Sequence, residues 1–241
     1  MRPIVGLSFP ATARRAPVAK WLTRWSAKPV FAGSIPARRS NLPDNGSVFS
    51  LRRSSEDVIQ EQIAVARERE AASPRFLSIA NGLLVDDLGS FAQDRSRSVL
   101  GSGKNIFNAA KRAFANWQMF DLGWVRVVNT AAPIEYRQII AVEVHALGLR
   151  SVNLSKILET VDSETQFGFL YSTTLHHAEQ GEEIFLLRFD TATGEVSYEL
   201  EAVSRPRHLL ARVAYPMTRR FQHKFARDSH RRIRQAIASG S

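Results

Sequence analysis

Apolar residues recur every three or four positions in two stretches before residue 120, which predicts two amphipathic helices. The first helix begins at the polar cap Ser54-Ser55, has acidic residues in its first turn, and ends near Ala72. A short strand, Arg95–Leu100, and a glycine-rich turn come before the second helix. The apolar positions of this second helix are Ile106, Phe107, Ala110, Phe114 and Trp117.

After Gly123 the apolar residues alternate with polar ones, which predicts β-strands with one buried face. The links between these strands are short, and Thr191–Gly194 has the composition of a hairpin turn. Parallel neighbours would need long crossovers, so the strands form an antiparallel meander. The six predicted strands are Trp124–Asn129, Gln138–Ala146, Val152–Val161, Gln166–Thr174, Glu183–Phe189 and Glu195–Val203.

A long terminal helix is predicted after Arg205-Pro206, and Pro216 is expected to kink or interrupt it. An antiparallel sheet with this helix across its concave face is a two-layer α+β fold. The helix would present one apolar stripe to the sheet, made of Leu209, Val213, Met217, Phe221 and Phe225.

The composition narrows the class of protein. The chain has 241 residues, is 44% apolar and contains no cysteine. The missing thiols exclude disulfide scaffolds, thiolate zinc sites, iron–sulfur clusters and a cysteine nucleophile. No run of 18 apolar residues is present, so no transmembrane helix is predicted. We expect a globular cytoplasmic protein without a cofactor.

The net charge of +10 is concentrated in the first 47 residues. Met1–Ser47 has eight basic residues and one acid, Asp44, whereas Val48–Ser241 has 25 basic and 22 acidic residues. The first segment shows no apolar periodicity, and a single domain is therefore predicted for Val48–Ser241. An Arg-rich transit peptide or a basic disordered tail would have the same composition.

A third interpretation of Met1–Ser47, which we favour, is the translation of a transfer RNA gene. Gly33-Ser34-Ile35-Pro36 can be encoded by the T-arm sequence GGTTCGATTCCC, and Trp25–Pro29 can be encoded by a stem around a seven-base loop. The true start would then lie downstream, with Val48 as the natural candidate. The DNA sequence tests this interpretation directly.

Several motifs of the chain resemble the bacterial and plant family called domain of unknown function 1990. The resemblance runs from about Val48 to Ile233. It implies a helix-grip fold similar to START and Bet v 1-like proteins, in which a curved sheet of six to seven strands grips the terminal helix around a cavity. It implies no particular activity. The motifs include Gly101-Ser102-Gly103, Trp117–Trp124, Ala132-Pro133-Ile134-Glu135, Phe167–Tyr171, His177-Ala178-Glu179, Ser204–His208 and Tyr215-Pro216.

The densest group of titratable residues follows Tyr171. His177, Glu179 and Glu183 are the candidate catalytic residues, because an imidazole beside carboxylates can transfer protons. No zincin spacing is present, and no metal site is predicted. The alternative is a solvated hairpin turn whose charges diverge.

The candidate ligand-binding residues include Arg205, near where the predicted cavity would open, and several aromatic residues. Arg205 could hold a carboxylate or phosphate with its fork of donors, and otherwise it would satisfy carbonyls at the end of the sheet. Aromatic residues could line the cavity or form ordinary core. The full candidate set is Trp117, Trp124, Tyr171, Arg205, His208 and Tyr215.

These patterns support three functions. The first is binding of a small, largely apolar molecule that carries a polar or anionic group. The second is cyclase- or hydrolase-like chemistry by His177 and Glu179. The third is binding of the basic terminal segment, which has ten basic residues and one acid between Arg205 and Arg234, to an anionic surface or nucleic acid. Nucleic acid is the less favoured partner, because Phe221 and Phe225 fall on the buried stripe.

Overall fold

The structure, a computed structural model, describes residues 49–50, 53–68, 74–175, 177–206 and 215–240. Three α-helices and ten strands are present in these ranges. The helices are α1 (Glu56–Arg67), α2 (Lys104–Ala115) and α3 (Tyr215–Ala238). The strands are β1 (Phe49–Ser50), β2 (Leu77–Ser78), β3 (Gly82–Leu83), β4 (Ala92–Ser102), β5 (Val125–Val127), β6 (Ile139–Ala146), β7 (Leu149–Asp162), β8 (Gln166–Thr173), β9 (Glu179–Phe189) and β10 (Glu195–Pro206).

Seven strands form one antiparallel sheet in the order β4-β10-β9-β8-β7-β6-β5, and β1 pairs with β7. The predicted meander is confirmed from β5 to β10. The predicted short strand Arg95–Leu100 is the longer β4, which pairs with β10. Strand β9 begins at Glu179 rather than at Glu183, so the acidic cluster lies on a strand instead of in a hairpin loop.

The terminal helix α3 lies against the concave face of the sheet. Phe225 contacts Phe185 of β9, and Ile233 and Ala236 belong to the same apolar cluster as β8, β9 and β10. The described part of the chain therefore has the predicted α+β helix-grip fold.

The predicted start of helix α3, just after Arg205-Pro206, lies outside the described residues. Pro206 ends β10, and the helix is described from Tyr215 onward, with residues 207–214 outside the described ranges. Pro216 is the second residue of the described helix Tyr215–Ala238, so whether it kinks or interrupts a longer helix stays a prediction. Met217 is 43% exposed, contrary to the predicted buried stripe. Asp228, Ser229 and His230 are buried instead.

Trp117 also differs from its prediction. It lies just after α2 in the left-handed conformation, with φ 55°, and precedes a 3-10 turn at Gln118–Phe120. Its indole Nε1 donates to the backbone oxygen of Ala132 at 2.9 Å, and its ring packs edge-on against Phe169. A chain reversal, not a further helical turn, therefore brings this side chain into the core.

Three apolar clusters hold the layers together. The largest fills the concave face below α2 and α3. On the convex face, α1 contributes Ile59 and Ile63 to a cluster with Leu154 of β7. The segment 76–91 covers the rest of that face through Phe76 and Leu77, which pack with strands β8, β9 and β10. Both faces of the sheet are thus covered.

Two glycines permit close approach between neighbouring strands. A Cβ atom on Gly168 of β8 would lie 2.1 Å from the carbonyl oxygen of Phe185, and one on Gly181 of β9 would lie 2.1 Å from that of Val203. Both distances are far below van der Waals contact. The local path of β8, β9 and β10 therefore requires residues without a side chain at these positions.

Candidate functional site

The concave face has a polar region beside the first turns of α3, which we call the acidic end. It combines carboxylates from two strands with hydroxyl groups from two others and polar groups from the helix. Its members are Asp94 of β4, Tyr171 of β8, Glu179 and Glu183 of β9, Ser204 of β10, and Arg219 and Gln222 of α3.

Strand alternation explains why these groups share one face. Glu179, Gly181 and Glu183 are on the same side of β9 as Phe185, which belongs to the concave core. Tyr171 pairs directly with Glu183 in the register of β8 and β9. Glu182 points to the convex face, where its carboxylate accepts from the backbone N–H groups of Phe76 and Leu77 at 2.8 Å.

The Tyr171–Glu183 pair is the centre of the acidic end. The Tyr171 hydroxyl donates to Glu183 Oε2 at 2.6 Å. Burial raises the pKa of Glu183 to about 7, the hydrogen bond from Tyr171 lowers it, and the charges of Glu179 and Asp94 raise it. Burial also raises the pKa of Tyr171 well above its ordinary value. Near neutral pH the pair therefore contains a carboxyl group that can both release and accept a proton.

Gln222 connects the helix to the second carboxylate. Its Nε2 lies 3.0 Å from Glu179 Oε1 and 3.0 Å from Ser204 Oγ. Burial raises the pKa of Glu179, although the bond from Gln222 and the charge of Arg219 lower it. Arg219 forms a two-point contact with Asp94, with Nη2 to Oδ1 at 2.6 Å. The first turns of α3 are thus tied to both β4 and β9.

The charges of the acidic end determine which ligand groups it suits. Three carboxyl groups face one guanidinium, and that guanidinium is paired with Asp94. An anionic ligand group would meet repulsion here, whereas a hydrogen-bond donor or a cation would find acceptors. The arrangement can hold such a group, and it can exchange a proton through Glu183.

His177 lies near the acidic end but contacts backbone. Its Nδ1 accepts from the backbone N–H of Glu179 at 3.0 Å, while the Glu179 carboxylate faces Gln222. In these contacts the imidazole closes a local turn before β9. Among the predicted catalytic residues, the structure brings Glu179 and Glu183 together on one face of β9, and it places His177 at the start of that strand.

Arg205 lies on the convex face, because it shares the side of β10 occupied by Val203. Its guanidinium stacks 4.5 Å from the centre of the Phe91 ring and contacts Gln180 Oε1 at 2.9 Å and Ser90 Oγ at 3.1 Å. The structure therefore places Arg205 on the convex face, a direction that the sequence had left open.

The other predicted ligand-binding residues are dispersed. Trp117 is core, as described above. Trp124 donates from Nε1 to Asp228 Oδ2 at 3.1 Å and lies below the Lys224 ammonium. Tyr171 belongs to the acidic end. His208 lies outside the described residues, and Tyr215 is described only as the first residue of α3.

Asp94, Arg219 and Gln222 were not predicted as site residues. Asp94 lies in the polar strand Ala92–Ser102, which has no apolar alternation to indicate its face. Gln222 follows Phe221 on the predicted helix, and this adjacency to the apolar stripe was the available signal. No sequence signal distinguished Arg219, because basic residues are frequent throughout this segment.

A separate groove of 370 Å³ lies outside the sheet and is lined in part by Lys104, Lys111, Asp162 and Glu164. Lys104 pairs with Glu164 at 2.6 Å, and Lys111 pairs with Asp162. These pairs satisfy the charges of the groove, and no predicted site residue lines it. In the part of the chain that the structure describes, no group of three His, Asp or Glu residues is placed to hold a metal ion.

Fold and site together define a helix-grip α+β protein whose concave face ends in buried carboxyl groups. The sequence model of the family described as domain of unknown function (DUF1990) matches residues 89–232. The chain belongs to this family, which confirms the resemblance seen in its motifs.

Relatives of the chain include proteins from a slime mould and a plant. A UPF0548 protein of Dictyostelium discoideum is 28% identical over 209 residues, covering 80% of this chain and 97% of the relative. A UPF0548 protein of Arabidopsis thaliana is 30% identical over 149 residues, covering 59% of this chain and 72% of the relative.

Solved structures with a similar fold include Ara h 8.0201, at 14% identity and a TM-score of 0.39, and ginseng major latex-like protein 151, at 11% identity and a TM-score of 0.39. The first match covers 62% of this chain and 99% of the other, and the second covers 61% and 97%. No helix in the described ranges is long and apolar enough to cross a membrane.

Proposed function

We propose that this protein binds a small amphipathic molecule at the acidic end of its concave face. The observation that supports this proposal is the Tyr171–Glu183 pair, a buried carboxyl group hydrogen-bonded to a tyrosine whose ring packs against that of Phe185. The neighbouring apolar side chains would contact the body of the ligand. The carboxyl groups would bind its polar group.

The polar group of this ligand is a hydrogen-bond donor or a cation rather than an anion. Glu179, Glu183 and Asp94 supply acceptors, and Arg219 is already paired with Asp94. Arg205, the cation that favoured an anionic ligand in the sequence, lies on the other face of the sheet. The sequence alone also allowed a ligand with an anionic group, whereas we propose a ligand that carries a hydrogen-bond donor or a cation.

Calorimetry with octylamine, octanol and octanoate tests this proposal, because the three probes share one apolar body. We expect the amine to bind at least about tenfold tighter than the carboxylate, a difference of about 1.4 kcal/mol. The variant Glu183→Gln should reduce this preference. The control variant Glu201→Gln makes the same change on the convex face and should leave it unaltered. Equal or tighter binding of octanoate would contradict the proposal.

A second candidate function is acid–base catalysis on the bound molecule. It is favoured by the pKa of Glu183, about 7, which lets one group act as base and then as acid near neutral pH. As a probe we suggest hydrolysis of p-nitrophenyl octanoate, with Glu183 activating water. We expect a rate that inflects near pH 7, is lost in Glu183→Gln and is retained in Glu201→Gln. A rate unaffected by Glu183→Gln would exclude this role.

A further inference from the structure

The outward side of α3 carries a row of five basic residues. At about 100° per residue, they fall within a sector of about 80° around the helix axis, and they extend over about 21 Å. Arg227 is 71% exposed and Arg231 is 59% exposed. We call this row the basic ridge; its members are Arg220, Lys224, Arg227, Arg231 and Arg234.

Arginines just outside the sector are used differently. Arg219 pairs with Asp94 of β4, and Arg232 pairs with Asp121 at 2.9 Å. These two residues flank the ridge and fasten the helix to the body of the protein. Ion pairs with carboxylates of the protein body thus account for the flanking arginines, whereas three of the ridge residues share one carboxylate of their own helix, Asp228.

The ridge has far more positive than negative charge. Among the described residues, Asp228 is the one carboxylate within salt-bridge distance of it, and Lys224, Arg227 and Arg231 share that group. Burial of Asp228 opposes ionisation, but hydrogen bonds from Lys224 and Trp124 lower its pKa. Asp228 therefore stays ionised, and five cations retain one counter-charge.

We propose that the basic ridge docks this protein on an anionic lipid surface. A straight row on one rigid helix can present all of its charges to a plane at once. The guanidinium fork of the four arginines matches the geometry of lipid phosphates. The partner is therefore a membrane surface rich in negatively charged headgroups.

The side chains around the ridge favour lipid over nucleic acid. No Phe, Tyr or Trp of α3 lies within the sector, and the Trp124 ring beside it lies under the Lys224 ammonium, so the ridge offers little surface for base stacking. Met217 lies at its edge and is 43% exposed. An exposed apolar side chain gains free energy when it enters the boundary between lipid headgroups and acyl chains. The apolar face of α3 is packed in the core, so docking involves the surface and not insertion of the helix.

Cosedimentation of the full chain with vesicles tests this proposal. The vesicles are phosphatidylcholine alone, or the same lipid with phosphatidylserine. We expect binding only with phosphatidylserine, and weaker binding at higher salt because the charges are screened. The variant Arg227→Glu/Arg231→Glu should weaken binding by at least about tenfold.

A matched control separates the ridge from overall charge. Arg67→Glu/Lys104→Glu changes the net charge equally at exposed positions outside α3 and should bind as the unaltered chain does. The basic segment Met1–Ser47 is the same in every variant, so its contribution cancels. If the ridge variant fails to fold by circular dichroism, Arg227→Gln/Arg231→Gln replaces it.

Three results would overturn the proposal. The first is absence of binding to phosphatidylserine vesicles, and the second is an equal loss in the ridge and control variants. The third is tighter binding to duplex DNA than to the vesicles at the same salt, lost in the ridge variant. That result would make the ridge a nucleic-acid surface.

Discussion

The two ends of the concave face are built on the same strands and behave in opposite ways. At one end, which we call the packed end, Phe169 of β8 stacks on Phe185 of β9 with ring centres 4.9 Å apart. Two residues further along each strand path, Tyr171 and Glu183 form a hydrogen bond in the same layer. The packed end gains stability from buried apolar area, whereas the acidic end places carboxyl groups where burial raises their pKa.

This difference separates structural from functional side chains. Every aromatic residue of the packed end can be explained by its contribution to the core. The carboxyl groups of Glu179 and Glu183 cannot, because desolvation makes them costly where they lie. Residues that a fold keeps at a cost in stability are the better candidates for a function. The following predictions test the contrast.

The largest effect is expected at the packed end. Phe185→Ala should lower the free energy of unfolding by about 3–5 kcal/mol, because the ring is fully buried and leaves a cavity. Urea denaturation measures the change. Phe189→Ala, at the half-buried end of the same strand, should cost clearly less. A loss below about 1 kcal/mol for Phe185→Ala would show that the end is loosely packed.

Glu183→Gln at the acidic end should raise the free energy of unfolding above neutral pH, whereas Phe185→Ala lowers it. Folding raises the pKa of Glu183 above its value in the unfolded chain. The stability that this group contributes to the folded protein is therefore complete below about pH 4.5 and is lost as the pH rises through about 7. The variant should therefore be more stable than the unaltered chain at pH 8, by roughly 1–3 kcal/mol, and equally stable at pH 4. Urea denaturation across this range measures the difference; a gain that does not depend on pH would refute the assignment.

Tyr171→Phe should have a smaller effect of about 1 kcal/mol, since it removes one hydrogen bond and retains the ring. Its more specific result is a higher pKa for Glu183, because the Tyr171 hydroxyl lowers that pKa. Carbon-13 NMR titration of the glutamate carboxyl groups measures this shift. An unchanged or lower pKa would mean that the hydroxyl does not act on the carboxylate.

Arg205→Ala should have the smallest effect. The loss of its stacking on Phe91 should cost about 0.5–1 kcal/mol in thermal or urea unfolding. Binding of octylamine should not change, since Arg205 lies on the convex face. A weaker affinity of Arg205→Ala for octylamine would show that a residue of the convex face influences ligand binding, contrary to this prediction.

Alternation allowed much of this fold to be predicted from sequence. The meander β5–β10 follows from apolar residues at every second position, and the same pattern puts Glu183 beside Tyr171. It failed at β4, where the residues on both faces are polar. Asp94 shares the concave side with Ser96 and Ser98, but Arg95 and Arg97 on the convex side are no less polar. Only pairing with β10 and cover by α3 determine which side is which.

Strand ends were a second source of error. The prediction ended the last strand at Val203, which left the direction of Arg205 open. Because β10 continues to Pro206, Arg205 takes the same side as Val203 and leaves the concave face. In the same way, Glu179 gained a defined direction only because β9 begins there. Extending each strand by a few residues would have separated the two groups in advance.

The glycines at positions 168 and 181 give the shape of the sheet an unusual origin. The spacing of β8, β9 and β10 depends on the absence of a side chain at these two positions. Alanine at Gly181 would push the carbonyl of Val203 outward and alter the spacing between β9, which carries Glu179 and Glu183, and β10, which carries Ser204. A single methyl group at Gly181 would therefore change the distance between Glu179 and Ser204, although neither residue is substituted.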